Sequence, residues 1–169
     1  MKLNTDGSSI GSLGLAGGGG VLRDEGGKWV IGYARKIGTA NSLLAELWAL
    51  RDGLSLCLQA HVQAVVIEMD AKVIVDAFSF QSNSNVITFS LMVDCRHLAT
   101  QIPQVSFRHV NREGNRCADQ LAKLGTSLEV DFAVFSCPPV DILSYFEADR
   151  HGQVVRRLCS EPVFACQCL

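Results

Sequence analysis

The sequence has no excess of basic residues. Its 15 Lys and Arg residues are outnumbered by 17 Asp and Glu residues, and the formal net charge is −2. Proteins that bind nucleic acid through their overall charge are usually basic, because Lys and Arg replace the counter-ions around phosphates. The composition therefore does not indicate nucleic-acid binding, and any such function must depend on a local site.

Long apolar runs are also missing. No stretch approaches the roughly 18 apolar residues that a membrane helix needs, and the first residues lack the run of roughly 7 to 15 apolar residues typical of a secretion signal. We expect an intracellular protein, nuclear or cytoplasmic, that is not secreted, has no membrane partner and is a monomer. Its seven cysteines are expected to be thiols.

Three other binding motifs are incomplete. The four glycines at 17–20 form neither a phosphate-binding loop nor a dinucleotide-binding pattern, so we expect flexible backbone near a hairpin there. The last four residues, 166–169, lack the aliphatic pair and the preceding basic stretch of a prenylation site. The cysteines lack the paired spacing of a zinc site. None of these functions is favoured.

Hydrophobic periodicity predicts a mixed α/β protein. Strands are expected over residues 1–6, 15–23 and 28–37, and the last two form a hairpin around Gly26 and Gly27, because glycine supplies the positive φ of a tight turn. Leucines at helical spacing predict a helix over 42–60, capped by Asn41 or Ser42. The remaining elements are a strand at 62–69, helices at 71–79 and 86–100, a strand at 104–110 and a helix capped by Asn115 that ends near 123–124.

The first part of the chain accounts for this βββαβααβα order, and we assign residues 2–125 to one domain. Connection rules predict a mixed five-stranded sheet in the order 3-2-1-4-5, flanked by helices. Residues 126–169 are less periodic, and Pro138 and Pro139 interrupt them. We assign them to an accessory C-terminal tail with a short helix near 140–149, irregular after about residue 152.

Four carboxylates are expected to meet at one edge of this sheet. Asp6 and Asp70 follow strands 1 and 4 at their carboxyl ends, where open α/β sheets place ligands. Asp6 also opens a turn-forming cluster at residues 6–9, where we expect strand 1 to end. Glu46 and Asp119 each lie about one turn into a helix that starts at the same edge. Converging anions repel unless cations occupy the site, and hard oxygen ligands favour Mg²⁺ or Mn²⁺. Two ions about 4 Å apart would suit phosphoryl hydrolysis.

Four short blocks carry a family resemblance. They read KLNTDGS at 2–8, AELWALRDG at 45–53, EMD at 68–70 and HVNREGNRCAD at 109–119. As an ordered set they resemble the ribonuclease H type 1 domain, in the reverse transcriptase-like branch found in plant retroelement-derived proteins. The resemblance covers roughly residues 2–125 and implies a ribonuclease H-like fold.

The resemblance also implies an activity, namely endonucleolytic, metal-dependent hydrolysis of the RNA strand in RNA–DNA hybrids with two Mg²⁺ or Mn²⁺ ions. Asp6, Glu46, Asp70 and Asp119 match the family's metal-binding catalytic quartet. His109, ten residues before Asp119, matches its mobile-loop histidine, which assists proton transfer or product release.

Substrate contacts are less defined by the resemblance. The family recognises the 2′-hydroxyl groups that RNA displays across its shallow minor groove. Ser8 and Asn115 are the candidates for contacts to the sugar or the backbone.

Two departures from the family pattern keep an alternative open. Residues 71–100 contain only Lys72 and Arg96 as basic residues, whereas many members carry a basic protruding loop there. The strand before Asp6 is short, as in a fragment of a longer retroelement-like protein. Both departures favour a catalytically silent nucleic-acid-binding or interaction module, while the intact quartet favours the enzyme. A DNA-cutting relative with the same fold is disfavoured by the 109–119 block.

Overall fold

The computed structural model describes residues 1–11, 14–79 and 86–150. The irregular segment predicted after residue 152 lies outside the described residues. Within them, the elements in chain order are β1 (Lys2–Ser9), β2 (Gly14–Arg23), β3 (Trp29–Ala40), α1 (Ser42–Gln59), β4 (Ala64–Met69), α2 (Lys72–Ser79), α3 (Val86–Thr100), β5 (Gln104–His109), α4 (Arg116–Thr126), β6 (Phe132–Phe135) and α5 (Val140–Arg150), with a 3-10 turn at Arg112–Gly114.

The strands form one mixed sheet in the order β5-β4-β1-β2-β3-β6. β1 pairs antiparallel with β2 and parallel with β4, and β5 continues the parallel half. The predicted order of the first five strands is confirmed. The sheet nevertheless has six strands rather than five, because β6 pairs antiparallel with β3 at the far edge.

The sixth strand comes from the segment that we assigned to an accessory tail. β6 is four residues long and reads FAVF, so it has no alternation of polar and apolar residues from which a strand can be predicted. The helix α5 confirms the short helix predicted near 140–149. Its Ile142 and Phe146 are buried against Val21, Cys117 and Leu121, so α5 packs on β2 and α4.

β1 is longer than predicted. The strand continues through Asp6 to Ser9, because β2 supplies an antiparallel partner for each of these residues, beginning with Gly19 opposite Asp6. We expected Asp6 to end the strand in a turn, but it lies inside the strand. The parallel pairing with β4 ends earlier, at Asn4 opposite Glu68, so the strand edge beside Asp6 is open toward the end of β4.

The glycines at 17–20 lie in β2, as expected, and they have a packing role that we did not predict. Gly17 to Gly20 are buried and paired in the sheet. A methyl group built on Gly19 would lie 2.4 Å from the backbone nitrogen of Ala122 in α4, and one on Gly18 would lie 3.2 Å from Ala49 in α1. Glycine is therefore required at position 19 for α4 to pack directly on the strand, whereas a methyl group at position 18 would need α1 to move by only a few tenths of an ångström.

The core lies between the sheet and α1. Leu47, Leu50 and Leu54 of α1 are fully buried, as their helical spacing predicts, and the Asn41 side chain caps the helix by accepting a hydrogen bond from Leu44 N at 2.9 Å. In the described part of the chain, Cys57, Cys95, Cys117 and Cys137 are free thiols, as expected. No helix among the described residues is long and apolar enough to cross a membrane.

Candidate active site

Three of the four predicted carboxylates meet at one edge of the sheet. Asp6, Glu46 and Asp70 each offer an oxygen, and these oxygens lie within 4.8 Å of one another. The parallel register that sets Asn4 opposite Glu68 brings Asp6 level with Asp70, two residues further along, on the same face of the sheet. We name these three residues the acid cluster.

Glu46 reaches the acid cluster because α1 packs very closely on β1. A methyl group on Gly7 would lie only 2.2 Å from the backbone nitrogen of Glu46, so glycine is required at this point. We did not predict this role of Gly7 from the sequence. The Asp6-Gly7 pair was the available signal, but we interpreted it as a turn.

Burial and mutual repulsion change the acidity of the cluster. Burial, together with the charges of Asp70 and Asp119, raises the pKa of Asp6 to about 8, while Arg112 opposes the shift. Burial, followed by the charges of Asp6 and Asp70, also raises the pKa of Glu46 well above its ordinary value. The Glu46 Oε2 atom is buried and has no hydrogen-bond partner among the described residues. The cluster therefore needs a cation or protons.

Asp119 lies beside this group rather than in it. Its position in the first turn of α4 is as predicted, and its charge acts on Asp6. Its Oδ2 atom, however, accepts hydrogen bonds from Lys123 Nζ at 2.6 Å and from Gln120 Nε2 at 2.9 Å. The structure thus brings three members of the predicted quartet together and pairs the fourth with neighbours on its own helix.

His109 and Arg112 lie at the rim of the acid cluster. His109 is the exposed last residue of β5 rather than part of a loop, and its Nε2 atom is 3.2 Å from the Asp70 carbonyl oxygen. Arg112 donates from Nε to Asp70 Oδ2 at 2.9 Å. Both residues line an open cleft of about 390 Å³ together with Glu46 and Asp70. We did not predict Arg112, although it stands within the 109–119 block.

Asn115 has an internal role instead of the predicted ones. It occupies the cap position of α4, but in the described structure its side chain makes no capping hydrogen bond. Its Nδ2 donates to the Thr5 carbonyl at 2.8 Å, and its Oδ1 accepts from Asn4 at 3.2 Å. Only 1% of Asn115 is exposed, so its amide is not accessible to a substrate sugar. It holds β1 in place directly beside Asp6.

Ser8, the other candidate for a substrate contact, is half-buried in β1 opposite Gly17. It lies two residues beyond Asp6, on the same face of the strand. The contact between Ser8 and a substrate sugar stays a prediction.

Comparison with known proteins relates this geometry to a family. Residues 4–125 match the reverse transcriptase-like family. A protein of Arabidopsis thaliana, named as a ribonuclease H protein, is 37% identical over 153 residues, or 90% of this chain. The chain spans 24% of the length of that relative.

Two solved structures share the fold. The amino-terminal ribonuclease H domain of a Mycobacterium tuberculosis protein is 27% identical, with a TM-score of 0.71 over 74% of this chain and 91% of that one. The LC11 ribonuclease H1, solved with an RNA/DNA hybrid, is 26% identical, with a TM-score of 0.68 over 74% of this chain and 95% of that one.

Proposed function

We propose that this chain, which belongs to the reverse transcriptase-like family of ribonuclease H-like domains, hydrolyses the RNA strand of RNA–DNA hybrids with the help of divalent cations. The acid cluster carries the proposal, because its three carboxylate oxygens lie within 4.8 Å of one another. The ribonuclease H relatives support a nuclease, and the LC11 structure with its RNA/DNA hybrid supports the choice of substrate.

The residues present fit a divalent cation. Carboxylate oxygens are hard ligands that suit Mg²⁺ or Mn²⁺, and the Oε2 atom of Glu46 is a buried acceptor that has no hydrogen-bond partner within residues 1–11, 14–79 and 86–150. Asp6, Glu46 and Asp70 would hold the cations, and Asp119 would join them after leaving Lys123. When bound, such cations supply an activated water and stabilise the negative charge that develops on the leaving oxygen.

Protein groups around the acid cluster orient it and move protons. Asn115 fixes the Thr5 carbonyl, and Gly7 allows the close approach of Glu46, so both are positioning residues. His109 is exposed at the rim, where its ring can pass a proton to the departing oxygen or take one from water. Ser8 is the candidate for a contact to the sugar.

The test compares the wild type with Asp70→Asn on labelled RNA–DNA hybrid, duplex RNA and duplex DNA, first in Mg²⁺ and then in Mn²⁺. Asp76→Asn is the matched control, because Asp76 is an exposed carboxylate that pairs with Lys72 on α2. We expect cutting of the hybrid alone, its loss in Asp70→Asn and its retention in Asp76→Asn.

Other results would contradict the proposal in distinct ways. Binding of the hybrid without cutting in either metal would favour the silent binding module. Cutting of duplex DNA would favour the DNA-cutting relative. Equal cutting by the wild type and Asp70→Asn would remove the proposed site.

A further inference from the structure

Two exposed arginines, Arg108 in β5 and Arg112 in the 3-10 turn after it, pair with nearly buried carboxylates at the end of β4. Arg112 contacts Asp70 at 2.9 Å, and the exposed fractions of the two side chains are 83% and 9%. Arg108 contacts Glu68 at 3.6 Å, with exposed fractions of 66% and 8%. The pairs are similar in exposure and chemistry, but only the first involves a member of the acid cluster.

The charge of Arg112 acts on the whole acid cluster. It lowers the pKa of both Asp6 and Glu46, opposing the effects of burial and repulsion. Its guanidinium therefore does part of what a divalent cation would do at the same carboxylates. Its Nε–H also occupies Asp70 Oδ2, so one of the two Asp70 oxygens is already paired when a cation approaches.

The bond between Arg112 and Asp70 is easily exchanged. Because 83% of the Arg112 side chain is exposed, water screens its charge and the side chain must be ordered to make the contact, so the pair contributes little free energy although Asp70 is nearly buried. A divalent cation on Asp70 would repel the guanidinium, which cannot escape by losing its proton. The side chain would then turn outward from a short 3-10 turn on the rim of the cleft.

We propose that Arg112 is the counter-ion of the metal-free acid cluster, that it leaves Asp70 when a divalent cation binds, and that it then contacts a phosphate of the bound nucleic acid strand. The inference rests on the proposed function and adds a substrate-contacting residue to it. A guanidinium is suited to this second role because its planar N–H groups match two phosphate oxygens. Metal binding and substrate binding are thereby coupled through one side chain.

The first measurement is calorimetric titration with Mg²⁺ in the absence of nucleic acid. Arg112→Ala removes a competitor for Asp70, so it should bind Mg²⁺ roughly twofold to fivefold more tightly than the wild type, the range that corresponds to an exposed ion pair. Arg108→Ala is the matched control and should bind Mg²⁺ with the affinity of the wild type.

The second measurement is cutting of RNA–DNA hybrid at saturating Mg²⁺ over a range of salt concentrations. Arg112→Ala should raise KM about tenfold, leave kcat unchanged, and reduce the slope of log KM against log salt by about one, as expected for one lost phosphate contact. Arg112→Lys keeps the charge, so it should restore the salt slope while recovering only part of KM.

The outcomes separate this inference from the proposed function. Equal Mg²⁺ affinity in the wild type and Arg112→Ala would overturn the counter-ion role. Unchanged KM and salt slope would overturn the phosphate contact. No Mg²⁺ binding by the wild type would overturn the proposed function and this inference together. If cutting were lost in Asp70→Asn but unchanged in Arg112→Ala, this inference alone would be overturned.

Discussion

The molecule buries carboxylates in two regions that treat the negative charge differently. Asp149 of α5 accepts hydrogen bonds from Arg23 Nη2 at 3.1 Å and from the backbone N–H of Cys117 at 3.2 Å. In the acid cluster, Asp6 and Glu46 are similarly buried, but the Oε2 atom of Glu46 has no hydrogen-bond partner among the described residues. The Asp149 carboxylate thus has a cation and a backbone N–H as partners, whereas the Oε2 atom of Glu46 has neither among the described residues.

This difference distinguishes a carboxylate that stabilises the fold, Asp149, from the carboxylates that we propose bind a ligand. The Arg23–Asp149 pair joins β2 to α5, and Asp149 also satisfies a free N–H at the start of α4, where the Asn115 side chain does not cap. A buried carboxylate with an incomplete set of partners costs free energy. Such a group is retained when a ligand completes it, which is what we propose for the acid cluster. Substitutions in the two regions should therefore have opposite consequences.

The largest expected effect is that of Glu46→Gln on activity. The substitution keeps the shape of the side chain but removes a proposed metal ligand, so we expect no detectable cutting of hybrid and no calorimetric Mg²⁺ binding. The metal-free protein should be as stable as the wild type or more stable, because a buried acid is removed from a repelling cluster. A clear loss of stability in urea unfolding would instead show that Glu46 stabilises the fold, and it would contradict the distinction drawn between the acid cluster and Asp149.

The second effect is that of Asp149→Ala on stability. Removing this carboxylate leaves Arg23 buried without its charge partner, which should lower the free energy of unfolding by about 3 kcal/mol. Asp141→Ala, at an exposed position of the same helix, should cost less than about 1 kcal/mol. Urea unfolding of both variants measures the difference. Equal losses of unfolding free energy would show that the Arg23–Asp149 pair contributes no more to stability than an exposed carboxylate does.

A smaller effect is expected from Gly7→Ala, which tests how the acid cluster is assembled. The added methyl group must displace α1 from β1, so we expect a loss of about 1 to 3 kcal/mol together with weaker Mg²⁺ binding. Gly114→Ala is a suitable control because nothing lies within 4 Å of a methyl group built at Gly114. If Gly7→Ala weakened stability but not Mg²⁺ binding, the close approach would not be what positions Glu46.

The last prediction concerns how pH acts on the metal-free protein. The pKa of Asp6 is about 8 in the fold against an ordinary value of 3.8, so the folded state holds a proton that the unfolded chain has released. Its contribution to stability therefore falls as the pH rises from about 4 to about 8 and is constant above that range. Urea unfolding from pH 4 to 9 should show this fall in the wild type and a smaller one in Asp6→Asn. Identical profiles would contradict the raised pKa.

Much of the fold could be predicted because the signals are local. The leucines of α1, its Asn41 cap and the hairpin between β2 and β3 each depend on residues close together in the chain. Connection rules then limit how the elements can be arranged, and this was sufficient for the order of the first five strands. β6 was missed because four residues are too few to show a period.

The candidate site was predictable in its residue types and only partly in its arrangement. The positions of Asp6, Glu46 and Asp70 at one sheet edge follow from strand register and helix start. Three other features do not follow from register and helix start, because each side chain has several possible partners and only the packed fold shows which one it contacts. They are the pairing of Asp119 with Lys123, the contact of Arg112 with Asp70 and the burial of Asn115.

The sequence by itself therefore determined most of the elements, the order of the first five strands and the residue types of the acid cluster, because these depend on local periodicity, turn chemistry and connection rules. The tertiary structure alone decided which charges are satisfied. Arg23 meets Asp149 across 126 positions of the chain, and Asn115 meets Thr5 across 110. Contacts between such distant positions form only when helices and strands pack, and that packing pairs Asp149 with Arg23 and leaves Glu46 without a partner for its Oε2 atom among the described residues.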